Sequence, residues 1–122
     1  MARLTEAQHL QQASDNEAAS VYLEGTHNDW AVTALFYAAL HYVDMYFATH
    51  GPVHTFASHG ERSTAIQAYL TPIWADYKVL LEESWHARYH CSRYTASDVR
   101  NFRRNELKRI KDHLRQLGVQ IP

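Results

Sequence analysis

Residues 29–51, DWAVTALFYAALHYVDMYFATHG, decide the fold of this chain. Trp30, Val32, Leu35, Phe36, Ala39, Val43 and Phe47 surround nearly the whole of a helix that Asp29 opens as N-cap and that Gly51 and Pro52 close. A helix apolar almost all round belongs in the middle of a bundle. Its exceptions, Thr33, Tyr37, His41 and Asp44, fall at i, i+4, i+8 and i+11, one polar line down a buried element. Thr33, His41 and Asp44 also interrupt the apolar run, which falls short of the roughly 20 residues that a membrane span needs.

Upstream, Thr5 with Gln8 reads as a capping box, and Leu4, Ala7, Leu10, Ala18, Val21 and Tyr22 carry a first helix to about Glu24, where Gly25 stops it. Ser14 and Glu17 form a second capping pair, so a break near Ser14 to Asn16 stays open. Downstream, residues 51–60 read as a loop, followed by a short helix from about Glu61 to Leu70. Thr71 and Pro72 then supply an N-cap and N1 proline for a helix to about Tyr89. At about 100° per residue, its inner face comprises Trp74, Tyr77, Leu81, Trp85 and Arg88. After a loop at 90–94, Thr95 with Asp98 caps a last helix running to Gly118, with Val99, Phe102, Ile110, Leu114 and Leu117 as its apolar stripe. Nearly opposite, Arg100, Arg104, Lys108, Lys111 and Arg115 are spaced as one basic ridge, a candidate phosphate-binding face. The expectation is one all-α domain over residues 1–122, an up-and-down four-helix bundle with an additional short helix.

The composition agrees. Of 122 residues only 4 are Gly and 3 Pro, too few for a turn-rich all-β fold. The single cysteine, Cys91, excludes an internal disulfide and fits a reducing compartment. With no basic-then-apolar leader at Met1, a soluble cytoplasmic protein is expected. The net charge of −1 hides a division: residues 1–83 hold three basic and ten acidic side chains (−7), and residues 84–122 hold nine and three (+6). Such a split points to self-association or to an anionic partner for the basic end.

The stretch at 29–51, then SHGER at 58–62, then DYKVLLEESWHARY at 76–89 followed by a short loop and a basic helix, resembles the HEPN-type (higher eukaryotes and prokaryotes nucleotide-binding) proteins over nearly the whole chain. The resemblance implies a helical bundle, a homodimer, and RNA or nucleotide binding, with metal-independent RNA cleavage in a toxin–antitoxin or defence setting among its activities. It also implies an alternative, a non-catalytic module that pairs with a nucleotidyltransferase, an antitoxin or another effector. The family's nuclease signature is an Arg followed after four to six residues by a His on a late helix, so that Arg holds phosphate and His activates a ribose hydroxyl. Here only Arg3 and His9 have that spacing, on the first helix; on the last helix Arg109 and His113, at i, i+4, have three residues between them, one short of the signature.

Two constellations could carry chemistry instead. His59 and Arg62, at the start of the short helix, could meet Arg88 and Tyr89 at the end of the aromatic face and form a phosphate-facing set. Equally, Arg62 and Arg88 could pair with buried acids such as Asp44 or Asp76 and tie the short helix to the bundle. Tyr37, His41 and Asp44 form either a general-base arrangement or a satisfied polar network in the core. Of nine histidines, only His41 makes an interior i, i+3 pair with an acid, Asp44; His50, His54 and His59 surround a loop, and no metal or other cofactor is expected.

Overall fold

A computed structural model describes residues 3–122; Met1, where the leader reading begins, lies outside them. Among the described residues the chain is all-helical, with no strand. Its elements are α1 (Glu6–Leu23), α2 (Asn28–Thr49), α3 (His59–Tyr69), a 3-10 turn (Thr71–Ile73), α4 (Trp74–Tyr89), α5 (Ala96–Phe102), a π-helical stretch (Arg103–Leu107) and α6 (Lys108–Gln116). The last three follow one another without a gap, so the bundle has four long rods and the short α3.

The helix ends follow local chemistry. Two of the three predicted capping pairs form: Thr5 Oγ1 accepts from Gln8 N at 3.1 Å, and Thr95 Oγ1 accepts from Asp98 N at 3.1 Å, whereas Ser14 and Glu17 lie inside a continuous helix. α1 runs unbroken through Ser14 to Asn16, and Gly25 and Gly118 take the left-handed backbone (φ +87° and +92°) that ends α1 and α6. α2 begins at Asn28, so Asp29 lies in its first turn rather than at the predicted N-cap; the cap residue, His27, makes no side-chain bond, and the Asn28 amide bridges Gly25 N and Tyr94 O. α3 starts earlier than the sequence pattern predicts, at His59, because Ser58 accepts from Glu61 N. Thr71 donates back to Gln67 O, so Pro72 opens a 3-10 turn and α4 begins only at Trp74.

α2 is the hub: α1, α4, α5 and α6 all pack on it, and Ala31, Val32, Leu35, Phe36, Val43, Met45 and Phe47 are fully buried. Trp30 departs from the predicted encirclement, lying 57% exposed at the rim. The inward faces of α1 and α4 also differ from the predicted ones. α1 buries His9, Ala13 and Ser20 and leaves Leu4, Val21 and Tyr22 outside; α4 buries Tyr77, Leu80, Ser84 and Ala87 and leaves Trp85 half-exposed. In α1 the small Ala13 and Ser20 hold the inward face and leave Tyr22 at the edge; in α4 Tyr77 stays inside, and the small Ser84 and Ala87 take the inward positions of the last two turns, which leaves the Trp85 ring at the rim.

The last rod carries a second correction. The π-helical turns at Arg103–Leu107 are wider than α turns and rotate everything after them. Val99, Leu107, Ile110 and Leu114 are therefore the buried residues, while Phe102 is only half-buried and Leu117 is exposed. Cations of this rod meet acids on and just after α1: Arg100 and Arg103, before and at the start of the π-helical stretch, reach Glu24 at 3.1 and 2.8 Å, and Lys111, beyond it, reaches Glu17 at 2.9 Å. Together with Arg109 on Asp76, these bridges join the acidic and basic parts of the chain within one molecule.

Glu24 provides a pH test of that junction. The hydrogen bond from Arg103, followed by that from Arg100, holds its carboxyl below the ordinary 4.5. A carboxyl depressed in the fold stabilises it above the unfolded pKa, and the contribution is lost as pH falls through the folded pKa. Thermal stability should therefore decline on acidification below pH 4.5, and Glu24→Gln should flatten that decline. A variant as acid-sensitive as the wild type would contradict the assignment.

Candidate functional site

The polar line predicted for α2 is not a sealed core seam. Thr33, Tyr37 and His41 line a cleft of about 500 Å3 with Gln12, Asn16 and Leu23 of α1 and with Trp30. Tyr37 also lines a second cleft, about 670 Å3, with His59 of α3 and Leu81, Trp85, Arg88 and Tyr89 of α4. Thr33, Tyr37 and His41 thus floor open clefts on one side of the hub helix, while Asp44, 6% exposed, lies buried beyond His41 and lines neither.

The predicted set of His59, Arg62, Arg88 and Tyr89 divides in two. Arg62 is withdrawn into the core, where its fork meets both oxygens of Asp44: Nε to Oδ1 at 2.9 Å and Nη2 to Oδ2 at 3.0 Å. Its face covers the Phe56 ring at 5.1 Å. This is the pairing with a buried acid that the sequence left open for Arg62. Tyr77 is fully buried near this pair, its hydroxyl without a hydrogen-bond partner among the described residues.

Arg88, His59 and Tyr89 stay at the cleft. Arg88 donates from Nη1 to the Tyr37 hydroxyl at 2.7 Å and from Nε to Ser84 O at 3.1 Å, and its guanidinium lies over the Tyr37 and Tyr89 rings at 5.6 and 5.3 Å. Among the described residues no carboxylate pairs with it. Trp85 and Tyr89 lean on each other with ring centroids 4.5 Å apart and stay 51% and 62% exposed. Glu82, the acid at this rim, faces Lys78 at 3.7 Å. His59 keeps an exposed edge while its ring lies against Phe36 and Tyr37. That desolvation, with the charges of Arg62 and Arg88, lowers its pKa below 6.5 and keeps it neutral at neutral pH.

The other predicted residues lie elsewhere. Arg109 forks onto Asp76 through Nε and Nη2 at 3.0 and 2.8 Å, which leaves the Arg109/His113 pair without a free guanidinium. On the basic ridge, Arg100 and Lys111 hold α1 carboxylates, and Lys108 and Arg115 share Asp112. Arg115 also donates to the carbonyls of Ile121 and Pro122. Arg104 alone of that ridge has no ion-pair partner among the described residues.

One contact escapes the sequence reading, which notes His9 only for its spacing from Arg3. His9 of α1 reaches across to His41, with Nδ1 to Nδ1 at 3.0 Å. Burial lowers the pKa of both rings, so both are neutral at neutral pH, one donating and the other accepting. The signal was faint: His9 stands one turn before Ala13 and in register with Ser20, a contact face with no large apolar residue to mark it.

Compared with known proteins, the chain matches no family model, no curated protein and no solved structure. Among the described residues no helix is long and apolar enough to cross a membrane.

Proposed function

We propose that this chain binds a phosphate-bearing ligand, RNA or a nucleotide, in the cleft between α3 and α4, with Arg88 as the anion anchor. The observation that carries the reading is the state of Arg88: half-buried, oriented by Tyr37 and Ser84, and with no carboxylate partner among the described residues, whereas the inward-turned Arg62 and Arg103 sit on Asp44 and Glu24. Trp85 and Tyr89 beside it offer exposed ring faces, and stacking on an aromatic ring contributes about 1–3 kcal/mol per base. Neutral His59, against the same Tyr37 ring, stands as an acceptor for a ribose 2′-hydroxyl proton. The HEPN-type resemblance supports the same ligand class, and with it metal-independent cleavage of RNA in a toxin–antitoxin or defence setting.

The test is fluorescence anisotropy with labelled single-stranded RNA at low salt in chelator, followed by gel analysis of the same RNA. Binding that weakens steeply as salt rises is expected, since phosphate contacts release counterions. Absence of binding at low salt, or binding indifferent to salt, would refute it.

The exposed Trp30, Trp85 and Tyr89 rings favour a second reading, a docking face for a protein, either a second copy of this chain or a partner such as a nucleotidyltransferase or an antitoxin. Light scattering on the purified chain checks the first case: a dimer that Trp85→Ala and Tyr89→Ala dissociate supports it, and a monomer across the micromolar range opposes it.

A further inference from the structure

We propose that His9, His41 and Asp44 form a binding site for a zinc-class divalent cation beside the cleft that His41 lines. Each offers one ligand atom, and these atoms all lie within 4.8 Å of one another. His41 and Asp44 are one turn apart on α2, and His9 comes from α1, so the site forms only when the two helices pack. The site is built rather than incidental, since His9 and Asp44 are each 6% exposed. Two imidazole nitrogens 3.0 Å apart are near the separation of about 3.3 Å that tetrahedral zinc sets between ligands at its usual bond length of about 2.0–2.1 Å. A small opening of the pair would admit the ion.

Arg62 sets which ions fit. Its fork holds both Asp44 oxygens, yet each oxygen keeps a second lone pair, and an outer partner of this kind fixes the orientation of a ligating carboxylate. Arg62 also cancels the charge of Asp44, so an incoming dication meets two neutral imidazoles and little net negative charge. That favours ions that prefer nitrogen, such as zinc and cobalt, and disfavours magnesium and calcium, which need several oxygen ligands. Three protein ligands leave a fourth position, and His41 lines the cleft with Trp30 and Tyr37, which supplies the way in for water or a ligand group.

The inference stands apart from the Arg88 reading, because it concerns ion uptake with no RNA present. Chelator-treated full-length protein is titrated with zinc chloride by calorimetry, and with cobalt chloride by visible absorption. One equivalent of zinc, a tetrahedral cobalt spectrum, no magnesium uptake and a rise in melting temperature with zinc are expected. His9→Ala and His41→Ala should each weaken zinc binding at least about ten-fold, while His50→Ala, on the exposed end of α2, should leave it unchanged. His9→Gln and His41→Gln, closer in size and able to keep a polar contact, serve if an alanine variant fails to fold. Uptake below one equivalent, or uptake indifferent to both His9 and His41 substitutions, would overturn the site.

Discussion

Asp44→Ala is expected to destabilise the metal-free protein by about 3–5 kcal/mol, the loss typical when one partner of a buried ion pair is removed and the other charge remains buried. Arg62 is the charge left behind. Its side chain is 11% exposed, both of its bonds to Asp44 are within hydrogen-bond range, and it holds α3 against the hub helix. For a domain of this size the melting temperature should fall by roughly 10–20 °C. Pairing Asp44→Leu with Arg62→Met, which removes both charges and roughly keeps the volume, should recover most of the loss. Differential scanning calorimetry on the single and double variants decides: a double variant no better than Asp44→Ala would mean that the pair stabilises through more than its mutual neutralisation.

The second large effect concerns binding. Arg88→Ala should weaken RNA or nucleotide affinity by about ten-fold to a hundred-fold, the equivalent of one hydrogen bond to a charged group at roughly 1.5–3 kcal/mol. The fold should tolerate the change, because the bonds it loses are to Tyr37 and to a carbonyl within its own helix, and no carboxylate is left unpaired. Arg104→Ala provides the contrast. Its charge is exposed on the far rod and unconnected to the aromatic cleft, so it should reduce affinity only slightly and mainly at low salt.

Much of the architecture was legible because its signals are local. The Thr5/Gln8 and Thr95/Asp98 boxes, the glycine stops and the apolar girth of residues 29–51 each act within a turn or two of chain, and they place the helices and the hub. What was not legible depends on how closely helices approach. Hydrophobic periodicity weights Trp85 above Ser84 and Ala87, yet close packing of α4 on α2 selects the small residues and leaves the indole at the rim. The π-helical stretch is a similar case: an evenly spaced basic ridge assumes uniform α turns, and the wider turns at Arg103–Leu107 break that register, with Lys111 beyond them lying on Glu17.

The candidate site was partly legible for the same reason. His59, Arg88 and Tyr89 were grouped from their helix ends, and they do share a cleft; Arg62 was left between a ligand and a buried acid, and the acid holds it. The contact of His9 was missed because its partner His41 lies 32 residues away on another helix, and no spacing rule within one element connects them.

The anion site anchored by Arg88 stands or falls on the affinity of labelled single-stranded RNA at low salt for wild type and Arg88→Ala side by side, with circular dichroism to confirm the fold of each. Tight, salt-sensitive binding to the wild type and a loss of about ten-fold or more in the variant are expected; equal affinities in two folded proteins would contradict the site.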